Sequence, residues 1–247
     1  MWKSHGSRIA LACAVVALGL ASHDLDGQAA EDGLDVSTLT ASAAVEADPL
    51  AFASALASER VPAGIVLVRD HLPTPSSRRA APSGARVPLR DAVARFLQAH
   101  PDFSERTTAG AIVLRPKGPT ACDAALRARP VPAERSGKAF EVFWHLARAV
   151  NPARVPAAPP GVVCAGQCGD VADRGYAAQV TLSNGEATLE DSLSAVSAQA
   201  RLVWIANDTR VPFGTGMRKG AAPRVCRLSY LDGDQYVQTS YDLLADK

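Results

Sequence analysis

Aromatic residues make up only 5% of this 247-residue chain, and its formal net charge is +1. The first shortage argues against a base-stacking surface. The second removes any reason to expect nucleic acid or an anionic membrane as partner. Also missing is a G-x-S-x-G nucleophile elbow, and five scattered histidines, two of them within the first 23 residues, leave little from which to build a triad. No apolar run after the first approaches the roughly 20 residues that span a bilayer. Nothing in the pattern calls for a cofactor. What remains, 47% hydrophobic and 21% charged residues, is enough for a substantial core in one or two small domains.

The beginning of the chain has a definite pattern. Lys3, His5 and Arg8 form a basic patch, and the apolar segment Ile9 to Ala21 has the length of a secretory signal. Residues 1–21 are expected to be a signal peptide, with cleavage as late as residue 30. The protein is then exported, to the periplasm or the extracellular space. An uncleaved signal would be its sole membrane contact. Four cysteines follow it: Cys122, Cys164, Cys168 and Cys226. An even number in an exported chain predicts disulfides, with three possible connectivities. A bridge between Cys164 and Cys168 would leave Cys122 to meet Cys226; the two crossed pairings remain open. Zinc held by Cys164, Cys168 and His100 or His145 is the weaker reading, since a strong site shows two close ligand pairs. No metal is expected.

Residues 22–48 are small, polar and acidic, and predict a flexible tether. The next block, 49–116, predicts a first α+β unit. Pro49 opens a helix with Phe52, Ala55 and Leu56 on one face. Gly64 to Val68 reads as a strand, and residues 71 to 85 as a Pro/Ser-rich loop. Pro88 opens a second helix with Leu89, Val93, Phe96 and Leu97 at helical spacing, and His100-Pro101 stops it. A turn at Gly110 leads into the strand Ala111 to Leu114. Residues 117–138, rich in proline and arginine, predict a linker with a short helix between Ala121 and Arg129.

The second unit, 139–247, repeats the plan and carries the predicted disulfide loop. Phe140, Phe143, Trp144, Ala147 and Val150 form one helical face. A loop holding Cys164 and Cys168 follows, and then the most legible stretch of the chain, Val180 to Ile205. Val180 to Ser183 alternates like a strand, Asn184-Gly185 turns, and Thr188 caps a helix striped by Leu189, Leu193, Val196 and Ala200. Glu190 and Asp191 supply negative charge to its first turn, and its polar residues read as cap, turn and solvated face. Leu202 to Ile205 is an apolar strand ended by Asn207-Asp208. Val225 to Tyr230 and Gln235 to Tyr241, with a turn at Asp232-Gly233, complete a hairpin.

Leu89-Arg90-Asp91-Ala92-Val93 parallels Leu189-Glu190-Asp191-Ser192-Leu193, which points to an internal repeat. With Val180-Thr181-Leu182 before the second helix and the apolar strands Ile112 to Leu114 and Leu202 to Ile205 behind the two, the pattern resembles the short secretin and TonB N-terminus (STN) domain. Gly84-Ala85-Arg86, ahead of Pro88, departs from the V-x-L strand of that pattern. The resemblance implies a small periplasmic domain that binds other envelope proteins and has no catalytic residues.

The fold class expected is α+β, as two related βαβ-type units with helices packed on short mixed sheets. Gly214 to Gly220 is neither a Walker loop nor a dinucleotide fingerprint. It reads as a basic loop in which Arg218 and Lys219 are candidates for holding an anion. His145 is placed at a helix edge. The function expected is a non-catalytic binding or envelope-assembly module with a secreted or envelope protein as partner. The alternative is a secreted hydrolase whose site gathers residues distant in sequence.

Overall fold

The structure, a computed structural model, describes residues 37–69, 84–132, 135–158, 175–183, 187–210, 224–233 and 235–245. Its architecture is α+β. In chain order the elements are β1 (Thr38–Ala41), α1 (Ala43–Glu46), α2 (Pro49–Ser58), β2 (Ala63–Val68), β3 (Ala85–Pro88) and α3 (Leu89–Ala99). Next come β4 (Phe103–Thr108), β5 (Ala111–Pro116), α4 (Asp123–Arg127), β6 (Ser136–Lys138) and α5 (Ala139–Val150). The chain ends with β7 (Gln179–Thr181), α6 (Leu189–Ala200), β8 (Val203–Arg210), β9 (Arg224–Asp232) and β10 (Gln235–Ala245).

Six of these strands form one sheet in the order β10-β9-β8-β2-β5-β4, and the halves meet where β2 runs parallel to β8. The strands of the two halves therefore join edge to edge. Side chains alternate across a strand, so the joined sheet has two apolar faces. Ala63, Ile65, Leu67, Ile112, Leu114, Val203 and Ile205 meet α2 and α3 on one face. Val66, Val113, Trp204, Ala206, Leu228 and Tyr230 meet α4, α5 and α6 on the other. Each half also carries a small antiparallel ribbon, β1 with β3 and β6 with β7.

The central junction depends on one glycine. Gly64 lies opposite Trp204 in the β2–β8 register, and a Cβ at Gly64 would sit 2.0 Å from the indole. The bare backbone lets the fully buried Trp204 ring lie flat across the seam.

Several expectations are revised. The acidic tether does not extend to residue 48: Thr38–Ala41 pairs with Ala85–Pro88, and Asp48 caps α2 by accepting from the Leu50 amide. Ala85 to Pro88 is thus a strand despite its unpromising sequence, since pairing with β1 supplies what propensity lacks. The linker is built structure as well. Besides the short helix expected there, which is α4, it holds β6, and Cys122, buried in it, is bonded to Cys226 of β9 across a sequence separation of 104. Asn207 and Asp208 continue β8 to Arg210. Asp208, 2% exposed, is satisfied there by Arg224 Nε at 2.7 Å and the Ala121 amide at 2.8 Å, so its polarity did not end the strand.

Candidate functional site

The least expected element is β4, Phe-Ser-Glu-Arg-Thr-Thr, which forms one edge of the sheet. A two-residue turn makes it possible. Ala109 and Gly110 have φ of 49° and 77°, the positive values that a tight antiparallel hairpin with β5 requires. Phe103 anchors the near end by stacking edge-on against Phe96 of α3, with ring centroids 5.4 Å apart.

The ladder decides which backbone groups face outward. Lys117 donates its amide to the Asp102 carbonyl at 2.7 Å, and Asp102 and Lys117 continue the register that pairs Phe103 with Pro116. Directly opposed bonded pairs alternate in antiparallel sheets, so Ser104, Arg106 and Thr108 bond to β5. Phe103, Glu105 and Thr107 turn their N–H and C=O groups away from it, and the Phe103 N–H is already taken by the His100 carbonyl at 2.9 Å. Among the described residues no strand pairs with this outer side.

One face of β4 belongs to an ionic seam between the halves. Glu190, at the start of α6, is 3% exposed. It accepts a hydrogen bond from Arg115 Nη1 at 3.0 Å. Arg106 Nη2 lies 2.7 Å from its other oxygen, an ion pair without hydrogen-bond alignment. Asp191 beside it accepts from Thr108 Oγ1 at 2.7 Å and from Thr188 Oγ1 at 2.6 Å. Burial pushes the Asp191 carboxyl up, but those hydrogen bonds and the Arg106 guanidinium outweigh it and hold it below the usual carboxylate value. Arg115 continues to Asp123 of α4 at 2.6 Å. At Asp123, likewise, burial is outweighed by hydrogen bonds from Thr120 and by the Arg115 and Arg127 charges, so its carboxyl is lowered too.

The sequence reading placed Glu190 and Asp191 as first-turn charges of a solvated face. The structure corrects this: they bind the first half, because α6 crosses β8 and extends over β2, β5 and β4. The signal that might have shown it is the chemistry of β4 and β5, whose Arg106, Thr108 and Arg115 offer donors with no local acceptor.

An open cavity of about 590 Å³ lies at the start of β4 on the same face, lined by Ser104, Arg115, Lys117, Asp123 and Arg127 with the Pro116 to Pro119 backbone. Among the described residues Asp123 is the only carboxylate in its lining, and its oxygens already accept from Arg115 and Thr120. Ser104 Oγ donates to the Arg115 carbonyl, and no histidine lines the cavity, so Ser104 is not arranged as a nucleophile.

Of the residues singled out in the sequence, Cys122 and Cys226 are brought together. Cys164, Cys168, Arg218 and Lys219 lie outside the described residues. His145 sits on α5 against Trp144, with ring centroids 4.5 Å apart. His100 packs between Phe96 and Phe103 and pairs with the Glu46 carbonyl at 2.8 Å. Among the described residues no three His, Cys, Asp or Glu side chains form a metal-binding group. No described helix is long and apolar enough to cross a membrane. No family model, curated protein or solved structure matches the chain.

Proposed function

We propose that this is an exported, non-catalytic protein-binding module of the cell envelope or secreted fraction, built from two STN-like units, that takes an extended segment of a partner onto the β4 edge. The observation that carries the reading is the outward row of Glu105 and Thr107 backbone groups, extended by the Phe103 carbonyl. Such a row offers main-chain hydrogen bonds to an added strand. The molecule already uses this kind of joint. β4 and β8 both follow the matched helices, and β8 takes β2 on the side that β4 leaves bare. Glu105 and Arg106 give the edge a charged character that discourages indiscriminate pairing. The signal-like start of the sequence and the buried Cys122–Cys226 bridge support an oxidising destination.

The test is site-specific crosslinking in the intact cell, from a photoreactive residue at Thr107. It should yield an adduct to an extended segment of another protein, identified by mass spectrometry. A second substitution, Glu105→Pro, removes an outward amide without breaking the ladder to β5. It should abolish the adduct while leaving the thermal midpoint within a few degrees. Recovery of the protein alone, or an adduct indifferent to the proline, would overturn the proposal.

A further inference from the structure

The cavity at the start of β4 has a sign, and that sign selects the direction and the chemistry of the added strand. Among the described residues Arg115, Lys117 and Arg127 line it against the one carboxylate of Asp123, so the described lining carries an excess of positive charge. Arg115 is engaged by Glu190 and Asp123, and Lys117 Nζ donates to the Pro101 carbonyl at 2.8 Å from an exposed position. Arg127 is exposed and has no hydrogen bond or ion pair among the described residues. Lys117 keeps two of its three donors and Arg127 its whole fork for an incoming anion.

Position supplies the second half of the argument. Ser104 and Arg115 face each other across the β4–β5 pair and both line the cavity, so the cationic opening flanks the end of the bare edge where β4 begins. A segment adding antiparallel to β4 finishes at that end, and one adding parallel starts there. A parallel segment beginning at its own amino terminus would set an ammonium group against three cations. An antiparallel one places its last residues, and a terminal carboxylate if the chain ends there, within their field.

Building on the edge reading above, we infer that the partner segment is an acidic carboxyl-terminal tail. It runs antiparallel to β4, with its terminal carboxylate and adjacent acidic side chains held by Lys117 and Arg127. Arg115 sets the field without leaving its own ion pairs. The backbone ladder on Glu105, Thr107 and the Phe103 carbonyl supplies binding for any sequence, and the cavity supplies the choice among them.

The experiment uses the full exported chain and three synthetic octapeptides of alternating threonine and valine. One ends in Asp-Glu with a free carboxylate, one begins with Asp-Glu and is amidated, and one is neutral and amidated. Binding is read from amide shifts of Phe103 to Thr108 and from titration at low and high salt. The free-acid peptide should bind at least tenfold tighter than the other two. The Lys117→Gln, Arg127→Gln double variant, which touches no core residue, should erase that advantage and most of the salt dependence. If all three peptides bind β4 equally, or the double variant keeps the preference, the tail inference is overturned and the edge reading stands. If no peptide moves the β4 amides, the edge reading falls and the inference with it.

Discussion

The helices α3 and α6 begin with matching sequence, Leu-Arg-Asp-Ala-Val against Leu-Glu-Asp-Ser-Leu, yet they occupy opposite environments. In α3 only Leu89, Ala92, Val93 and Phe96 are buried. Arg90, Asp91, Ala94, Arg95, Gln98 and Ala99 face outward, and Leu97 is partly buried. In α6 the buried set is Leu189, Glu190, Ser192, Leu193, Ser194, Val196, Ser197 and Ala200, and Gln199 is the one exposed residue. Both stripes do the same work on the sheet. The difference lies on the reverse side, where α3 meets water and α6 meets α5 and the first half of the chain. A helix covered on its second side has room only for serine and alanine, and a charge there must bring its partners with it. Ser194, for example, lies 3.4 Å from the Trp204 indole nitrogen as a hydrogen-bond acceptor, and Glu190 has its two arginines.

That comparison can be broken at matched positions. The largest effect is expected from Glu190→Ala, which leaves Arg106 and Arg115 without their shared buried acceptor. Urea unfolding should show a loss of about 3 kcal/mol, against about 0.5 kcal/mol or less for Arg90→Ala at the equivalent exposed site. Equal losses would mean that the two helices are not distinguished by burial. Next comes an exchange of side chains. Ser197→Leu, copying Leu97 into the covered helix, should cost about 1–3 kcal/mol through overpacking. Leu97→Ser should cost about 1 kcal/mol, since Leu97 is only partly buried.

The smallest effect concerns protons. Asp191 and Asp123 have folded-state values below their unfolded ones. Their stabilisation is therefore complete above the usual carboxylate range and is lost as pH falls through and below it. The thermal midpoint should decline on acidification from about pH 5 towards pH 2, and less steeply in Asp191→Asn. A profile as steep in Asp191→Asn as in the parent would remove that contribution.

The elements with strong periodicity were legible in advance. Leu89, Val93 and Phe96 announced α3, Leu189, Leu193 and Val196 announced α6, and the Asp232-Gly233 turn announced the terminal hairpin. Their partners were not. β4 is half polar because one of its edges takes no strand among the described residues and one of its faces is an ionic seam, so it carries no alternating apolar pattern. β1 and β3 are too short to show a period and stabilise each other across two intervening helices and a strand. The cavity was illegible for a related reason. Ser104, Lys117 and Arg127 are ordinary surface residues until the Ala109-Gly110 turn and the Cys122–Cys226 bridge set them side by side.

The place of β2 at the middle of the sheet also has a consequence for the order of assembly. Its six residues, Ala-Gly-Ile-Val-Leu-Val, can pair with β5 as soon as the first half has left the ribosome, since Ala63 to Ile65 meet Ile112 to Leu114. Its other edge waits for Val203 to Asp208, which come off the ribosome far later. Until then the most apolar strand of the chain exposes an unpaired side, and parallel pairing across such a distance closes slowly. The first half on its own is therefore the vulnerable species, since its open edge is closed only when β8 arrives.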